Sequence, residues 1–317
     1  MIKIALLILF FYHDICAKDI KPAFIMQTSG IVNDFVIDGD KLYVGTNAGT
    51  VDIFSLREKK LVNQIFIKPM KSGQGEMVAP NVISVDRHKG KTLIVTTAEN
   101  AFRNVWLHDG ENLHAIITTK DKKVIRKARF IDEQNFMFGS AGYVMTKYTL
   151  KDNHSIYKHH IEPSAFSDME LNEDKSRMIT ASESGIVTVI DVKTGKILKK
   201  YDSLNVDNIY KVAYKNGNII TAGQDRRVGV YPKEGKPYYI RSDFLVYAVG
   251  LSPNGKIGVY SSSEKSDLQL FNVASGKKTD RLVGHVAIPS TIRFFSHEGF
   301  FSAGYENRIF YWHLKEL

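Results

Sequence analysis

Residues Met178–Leu198 read MITASESGIVTVIDVKTGKIL. Met178 to Ala181 is a short apolar run that ends in small residues. Ser182 to Gly185 holds turn formers, with glycine supplying a positive φ at little steric cost. Ile186 to Val192 is rich in β-branched side chains, which fit a pleated, half-buried surface. Lys193, Thr194 and Gly195 make a second turn, and Lys196 opens a third strand. No segment here has the apolar spacing of a helix. One such unit cannot bury both of its faces, so it requires neighbours like itself.

The chain supplies them. Pairs of small residues that end an apolar strand recur at Gly45-Thr46, Thr96-Thr97, Gly139-Ser140, Ala181-Ser182, Ala222-Gly223, Ser261-Ser262 and Ala303-Gly304. The interval is about 40 residues, with one longer step of about 50, near the period of repeats that build propeller blades. Each unit has a first strand (Tyr210 to Tyr214), a polar turn (Asn216-Gly217), the strand ending in the small pair, and a third strand ending in an apolar or aromatic residue (Val228 to Tyr231). A second turn then leads to a fourth strand. Four strands repeated seven times predict an all-β, seven-bladed β-propeller. The seventh unit stops after its third strand, and Ala23 to Thr28 (AFIMQT) belongs to no complete unit. That segment is expected to supply the outer strand of blade seven and close the ring, removing an open sheet edge.

The composition, 44% hydrophobic and 24% charged, is ordinary for a globular chain. The formal net charge of +9 favours an acidic partner. Lys3 followed by the apolar run Ile4 to Tyr12 reads as an export signal, too short to span a bilayer. Cleavage after Ala17 is expected, leaving residues 18–317 as the propeller in the periplasm, with no stable membrane insertion. Cys16 is the only cysteine and falls in the removed segment. The mature chain then has no thiol for disulfide, nucleophile or metal.

Gly284-His285 before the last blade and Trp312 at the end of its third strand are the best local matches to a WD-repeat propeller, which the chain resembles over nearly all of its mature length. The resemblance implies a hydrogen-bonded structural set at His285, Ser302, Glu306 and Trp312, with glutamate where the family has aspartate. Asp225 matches the turn acid of blade five, where Tyr231 replaces the tryptophan. With an export signal and no catalytic motif, the whole chain also resembles the periplasmic NapL-type accessory proteins. That resemblance implies an accessory role in periplasmic nitrate reduction, with nitrate reductase components as partners and no chemistry to carry over.

No GxSxG, HExxH, P-loop or dinucleotide fingerprint is present, so neither a catalytic centre nor a cofactor is expected. His154, His159 and His160 cluster near one outer strand, but the two neighbours point to opposite faces, which reads as solvated histidines rather than a metal site. Gly73 to Glu76 lacks the lysine and helix of a phosphate cradle and reads as a flexible loop. Asp168 and Glu170 share one face of a first strand near the ring axis. With Lys211 and Arg293 they are the candidates for a ligand-binding or enzymatic channel.

Connections between blades and turns between second and third strands reach one narrow face of a propeller. There the sequence places Lys68, Lys71, Lys120, Lys122, Lys123, Arg126, Arg226, Arg227 and Arg308. This basic face is the expected docking surface for a protein partner, with the long segment Lys68 to Pro80 part of it. Nucleic acid is disfavoured by the export signal and by the lack of an RNA-binding aromatic motif. The leading reading is therefore a non-enzymatic, protein-binding accessory factor. The alternatives are a channel that binds a small ligand or metal or acts as an enzyme, and an envelope assembly factor.

Overall fold

The structure, a computed structural model, describes residues 18–314. The expected export signal, with Cys16 and its cleavage site, lies outside the described residues. Seven four-stranded antiparallel sheets follow one another around a ring. Their first strands, Val32–Asp38, Val82–His88, Ile125–Phe130, Phe166–Leu171, Ile209–Lys215, Val249–Leu251 and Pro289–Phe294, stand innermost. Blade four shows the unit in full: Phe166–Leu171, Arg177–Ser182, Val187–Asp191 and Ile197–Tyr201. Gly185 and Gly195 adopt φ of 81° and 73° in its two turns, where other side chains would be strained.

The recurring small pair has a packing cause. It lies where the first strand of the next blade crosses. A Cβ on Gly45 would sit 2.6 Å from Val82 Cγ1, and one on Gly139 would sit 2.5 Å from the Phe166 ring. The cores are seven apolar clusters, mostly sandwiched between neighbouring blades, such as Ile179, Ala181 and Val189 of blade four against Ile209 and Val212 of blade five. Each blade therefore stabilises its neighbours more than itself.

The ring closes as expected. Phe24–Gln27 is the outer strand of blade seven, antiparallel to Arg308–His313, with Met26 buried. The sequence did not disclose one addition. Asp19–Ile20 runs parallel to Lys278–Leu282 as a fifth strand on blade six, where Arg281 forks onto Asp19 at 2.8 and 2.9 Å. The segment read as a flexible loop is also more ordered than expected. Met70–Lys71 pairs with Met77–Val78, and the Ser72 hydroxyl accepts the Gln74 and Glu76 N–H groups across the turn.

Candidate functional site

In most blades the first strand carries a bulge one residue past its start, between Val32 and Asp34, Ile125 and Lys127, Phe166 and Asp168, Ile209 and Lys211, and Pro289 and Thr291. Bulges re-aim side chains. Here they present two tiers to the axis. The upper tier holds Asp34, Lys127, Asp168, Lys211 and Thr291. The lower tier, two residues on, holds Asp86, Arg129, Glu170 and Arg293.

Three of the carboxylates tie blades together. Asp34 Oδ2 accepts the Val85 N–H at 3.2 Å, Asp86 Oδ2 accepts the Phe130 N–H at 2.7 Å, and Asp168 Oδ2 accepts the Val212 N–H at 3.1 Å. Each reaches the first strand of the next blade. Buried cations join them. Lys127 donates to Asp168 in a close pair, and Arg129 skips a blade to donate to Asp34 Oδ2 at 3.0 Å. Arg293 crosses the axis, 3.4 Å from Glu170 and 3.6 Å from Asp34. Burial pushes the Asp34 carboxyl up, but the charges of Arg129, Lys127 and Arg293 more than offset it and hold the group well below the carboxylate range. Burial takes the Lys127 ammonium down to about 8 in spite of Asp168 beside it. So the structure brings Asp168, Glu170, Lys211 and Arg293 together in one channel.

The cations expected on the connection face fall into two groups. Arg227 is 3.7 Å from Asp225 and stacks 4.5 Å over Tyr239; Arg308 is 2.6 Å from Glu306. Both are neutralised by their own turn acids. Lys120, Lys122 and Arg126 are exposed and Lys123 is half-buried, in or beside the connection into blade three. Sequence reasoning missed Arg103 and Lys158, which join them. Burial and Arg126 lower the Arg103 guanidinium, and burial and Lys158 lower the Lys123 ammonium, so these cations crowd one another. Among the described residues these six form no ion pair, unlike Arg227 and Arg308. Lys68, Lys71 and Arg226 are exposed elsewhere on the same face.

Apolar side chains share that face. The most exposed large ones are Val286 at 74%, Val206 at 70%, Phe66 at 67%, Met77 at 62% and Tyr305 at 59%. All five lie on inter-blade connections, at an outer strand's end or on the second-to-third turn of blade seven. Singly placed in polar segments, they gave no periodic signal. The histidines show no convergence: His154 and His160 occupy opposite ends of one exposed strand, and His159 packs on Tyr157.

In blade seven, Trp312 Nε1–H donates to Ser302 Oγ at 2.7 Å, and His285 Nε2 lies 2.7 Å from the same oxygen. His285 Nδ1 is 2.8 Å from Glu306 Oε1. A neutral imidazole satisfies every contact, accepting the Ser302 proton and donating to Glu306. Burial lowers the His285 pKa accordingly. Blade five builds the same circuit from an amide: Asn205 Oδ1 accepts from Thr221 Oγ1 at 2.6 Å while its Nδ2 donates to Asp225 at 3.0 Å. Asn205 precedes its turn acid by nearly the spacing of His285 to Glu306, the one signal that could have found it.

No protein-family model matches the chain. No curated protein matches it either. Among solved structures, the β-propeller domain of Cps50 (Swd1) from Myceliophteria thermophila is similar, with a TM-score of 0.73 over 93% of this chain and 99% of that one at 13% identity. At that identity the likeness shows the fold alone, a β-propeller, here with seven blades.

Proposed function

We propose that the chain is a non-enzymatic scaffold whose connection face docks an acidic protein. One observation carries the reading: the most exposed apolar side chains share a narrow face with a cluster of six cations, Arg103, Lys120, Lys122, Lys123, Arg126 and Lys158, that form no ion pair among the described residues. Apolar anchors supply binding energy once desolvated, and unpaired cations steer an acidic partner and fix its register. A nucleic acid would use the cations but leave Val206, Val286 and Met77 without a role. The periplasmic setting and a place in nitrate respiration belong to this proposal and rest on the whole-chain resemblance to NapL-type accessory proteins.

The test is capture from periplasmic extract by the immobilised chain. Lys122→Glu with Arg126→Glu is expected to reduce capture at least tenfold at about 0.15 M salt, an effect that shrinks as salt rises. Lys59→Glu with Lys60→Glu, on the opposite face, serves as control. An identical captured set for both variants refutes the docking face. Capture that depends on the face but holds no nitrate reductase component refutes only the nitrate assignment.

A further inference from the structure

Strand pairing makes the outer strands comparable from blade to blade. Asp52↔Gln64 in blade one, Thr146↔Lys158 in blade three, Thr188↔Lys200 in blade four and Gln269↔Arg281 in blade six occupy the same rung, level with the residue before the small pair. On that rung the outer strand carries a long hydrogen-bond donor. In three of these blades the donor meets a carboxylate. Gln64 Nε2 donates to Asp52 Oδ1 at 2.8 Å, Lys200 is 3.6 Å from Glu162, and Arg281 is 3.7 Å from Asp267. Lys158 is the exception, with no carboxylate partner among the described residues.

What stands beside Lys158 is a second ammonium. Lys123, on the connection into blade three, comes within hydrogen-bond range of it, so the two cations crowd each other. The backbone holds Lys123 in place: its carbonyl accepts the Arg103 N–H at 2.9 Å, and the next carbonyl, of Val124, accepts the Ala141 N–H at 2.9 Å. Asp121 is the acid whose charge reaches Lys123, but it is committed to its own turn, where Oδ2 accepts the Thr118 N–H at 2.8 Å. The exposed Lys120 and Lys122 on either side of Asp121 add positive charge, and Arg103 with Arg126 forms a second like-charged pair alongside. Lys158 is exposed and Lys123 half-buried, so the pair is open to solvent.

We propose that Lys123 and Lys158 hold a dianion of the phosphate class, either inorganic phosphate or the phosphate monoester of a small molecule. Charge balance selects it. In blade four one ammonium meets one carboxylate. In blade three two ammonium groups meet at one place, and a group with two negative charges answers both, whereas a carboxylate leaves one charge over. The oxygens of a phosphate accept charge-assisted bonds from both lysines at once. The ligand thereby supplies from outside the anion that blades one, four and six carry in the chain itself. The site lies on the proposed docking face but requires no protein partner.

The test is calorimetric titration of the purified chain with inorganic phosphate and with glycerol phosphate, beside acetate and nitrate, at constant ionic strength. Phosphate or its ester is expected to bind saturably, at least about tenfold more tightly than either monoanion, and to raise the midpoint of thermal unfolding. The tighter of the two names the source. The ester should weaken below about pH 6, where it becomes a monoanion. Lys158→Met, on an exposed strand, is expected to keep the fold and lose at least about tenfold in affinity, while Lys200→Met, on the same rung of blade four, leaves binding unchanged. Three results overturn the proposal: no saturable binding of either phosphate; acetate or nitrate binding as tightly, which leaves screening only; or phosphate affinity unchanged in Lys158→Met. Absence of phosphate binding with partner capture intact overturns this site alone, and loss of capture leaves it standing.

Discussion

Loss of the closing strand should unfold the ring. Deleting residues 21–29 removes Met26 from the core it shares with Val44, Phe301 and Ile309, a burial worth about 1.5–3 kcal/mol. It also removes Phe24, stacked on Tyr311 at 4.8 Å, an aromatic pair worth about 0.5–1.5 kcal/mol beyond its area. The ladder from Phe24↔Tyr311 to Gln27↔Arg308 goes too, with the flanking bonds from Ala23 N–H to Tyr311 O (2.8 Å) and from Thr28 N–H to Asn307 O (3.0 Å), each worth about 1 kcal/mol net. The total exceeds about 5 kcal/mol, a large part of the 5–15 kcal/mol that holds a typical domain. The bared edge of Arg308–His313 would also invite pairing with other chains. The milder Met26→Ala should cost about 2–4 kcal/mol. Urea titration followed by tryptophan fluorescence reports both ends of the effect, because the chain has two tryptophans: Trp312 buried in blade seven and Trp106 in blade two. Met26→Ala should move the transition to lower urea for both, and the truncation should leave no cooperative transition. A truncated chain that melts with the parent midpoint refutes closure by this strand.

Two further outcomes follow from the buried charges. Arg129→Met leaves Asp34 buried without its closest cation and should destabilise by about 3–5 kcal/mol, while adding Asp34→Asn should recover part of that loss; strict additivity in the denaturation cycle counts against the pair. Stability should also fall with acid in two stages. His285 is held below its ordinary 6.5, so the unfolded chain takes up that proton first and stability declines as pH drops under about 6.5; Asp34, Asp168, Glu170 and Glu306 are likewise held low, and their contribution is lost under about 4.5. The first stage should shrink in His285→Gln, leaving what His88 and His108, also lowered by burial, contribute, and urea midpoints between pH 7 and 5 that slope equally in parent and variant refute the assignment.

The blades were legible because their periodic signal is steric. Gly45 and Gly139 cannot be larger while Val82 and Phe166 cross them, so packing writes the repeat into the chain even where motifs have decayed. The closing strand was legible as a remainder, since Ala23 to Thr28 fits no other unit. Asp19–Ile20 was not, because a two-residue parallel strand held by one forked ion pair has no pattern of its own. On the connection face the sequence names the cations but not their charge partners. Asp225 and Glu306 each stand two positions before an arginine across the same turn, a spacing that marks Arg227 and Arg308 as neutralised. Channel residues were visible too, but partners such as Arg129 and Asp34 lie two blades apart, a relation only the closed ring creates.

The decay of the repeat motif follows from the same geometry. Blade seven closes its polar circuit with an imidazole, blade five with the Asn205 amide, and blade four with Glu162, which accepts the Ser164, Ser182 and Ser184 hydroxyls at 2.8, 2.6 and 2.6 Å. Blade one uses Asp52, which accepts from Ser29, Thr50 and Gln64. What burial demands at the end of each second strand is that every donor and acceptor find a partner, and four chemistries meet that demand. Residue identity is free there as long as the circuit closes.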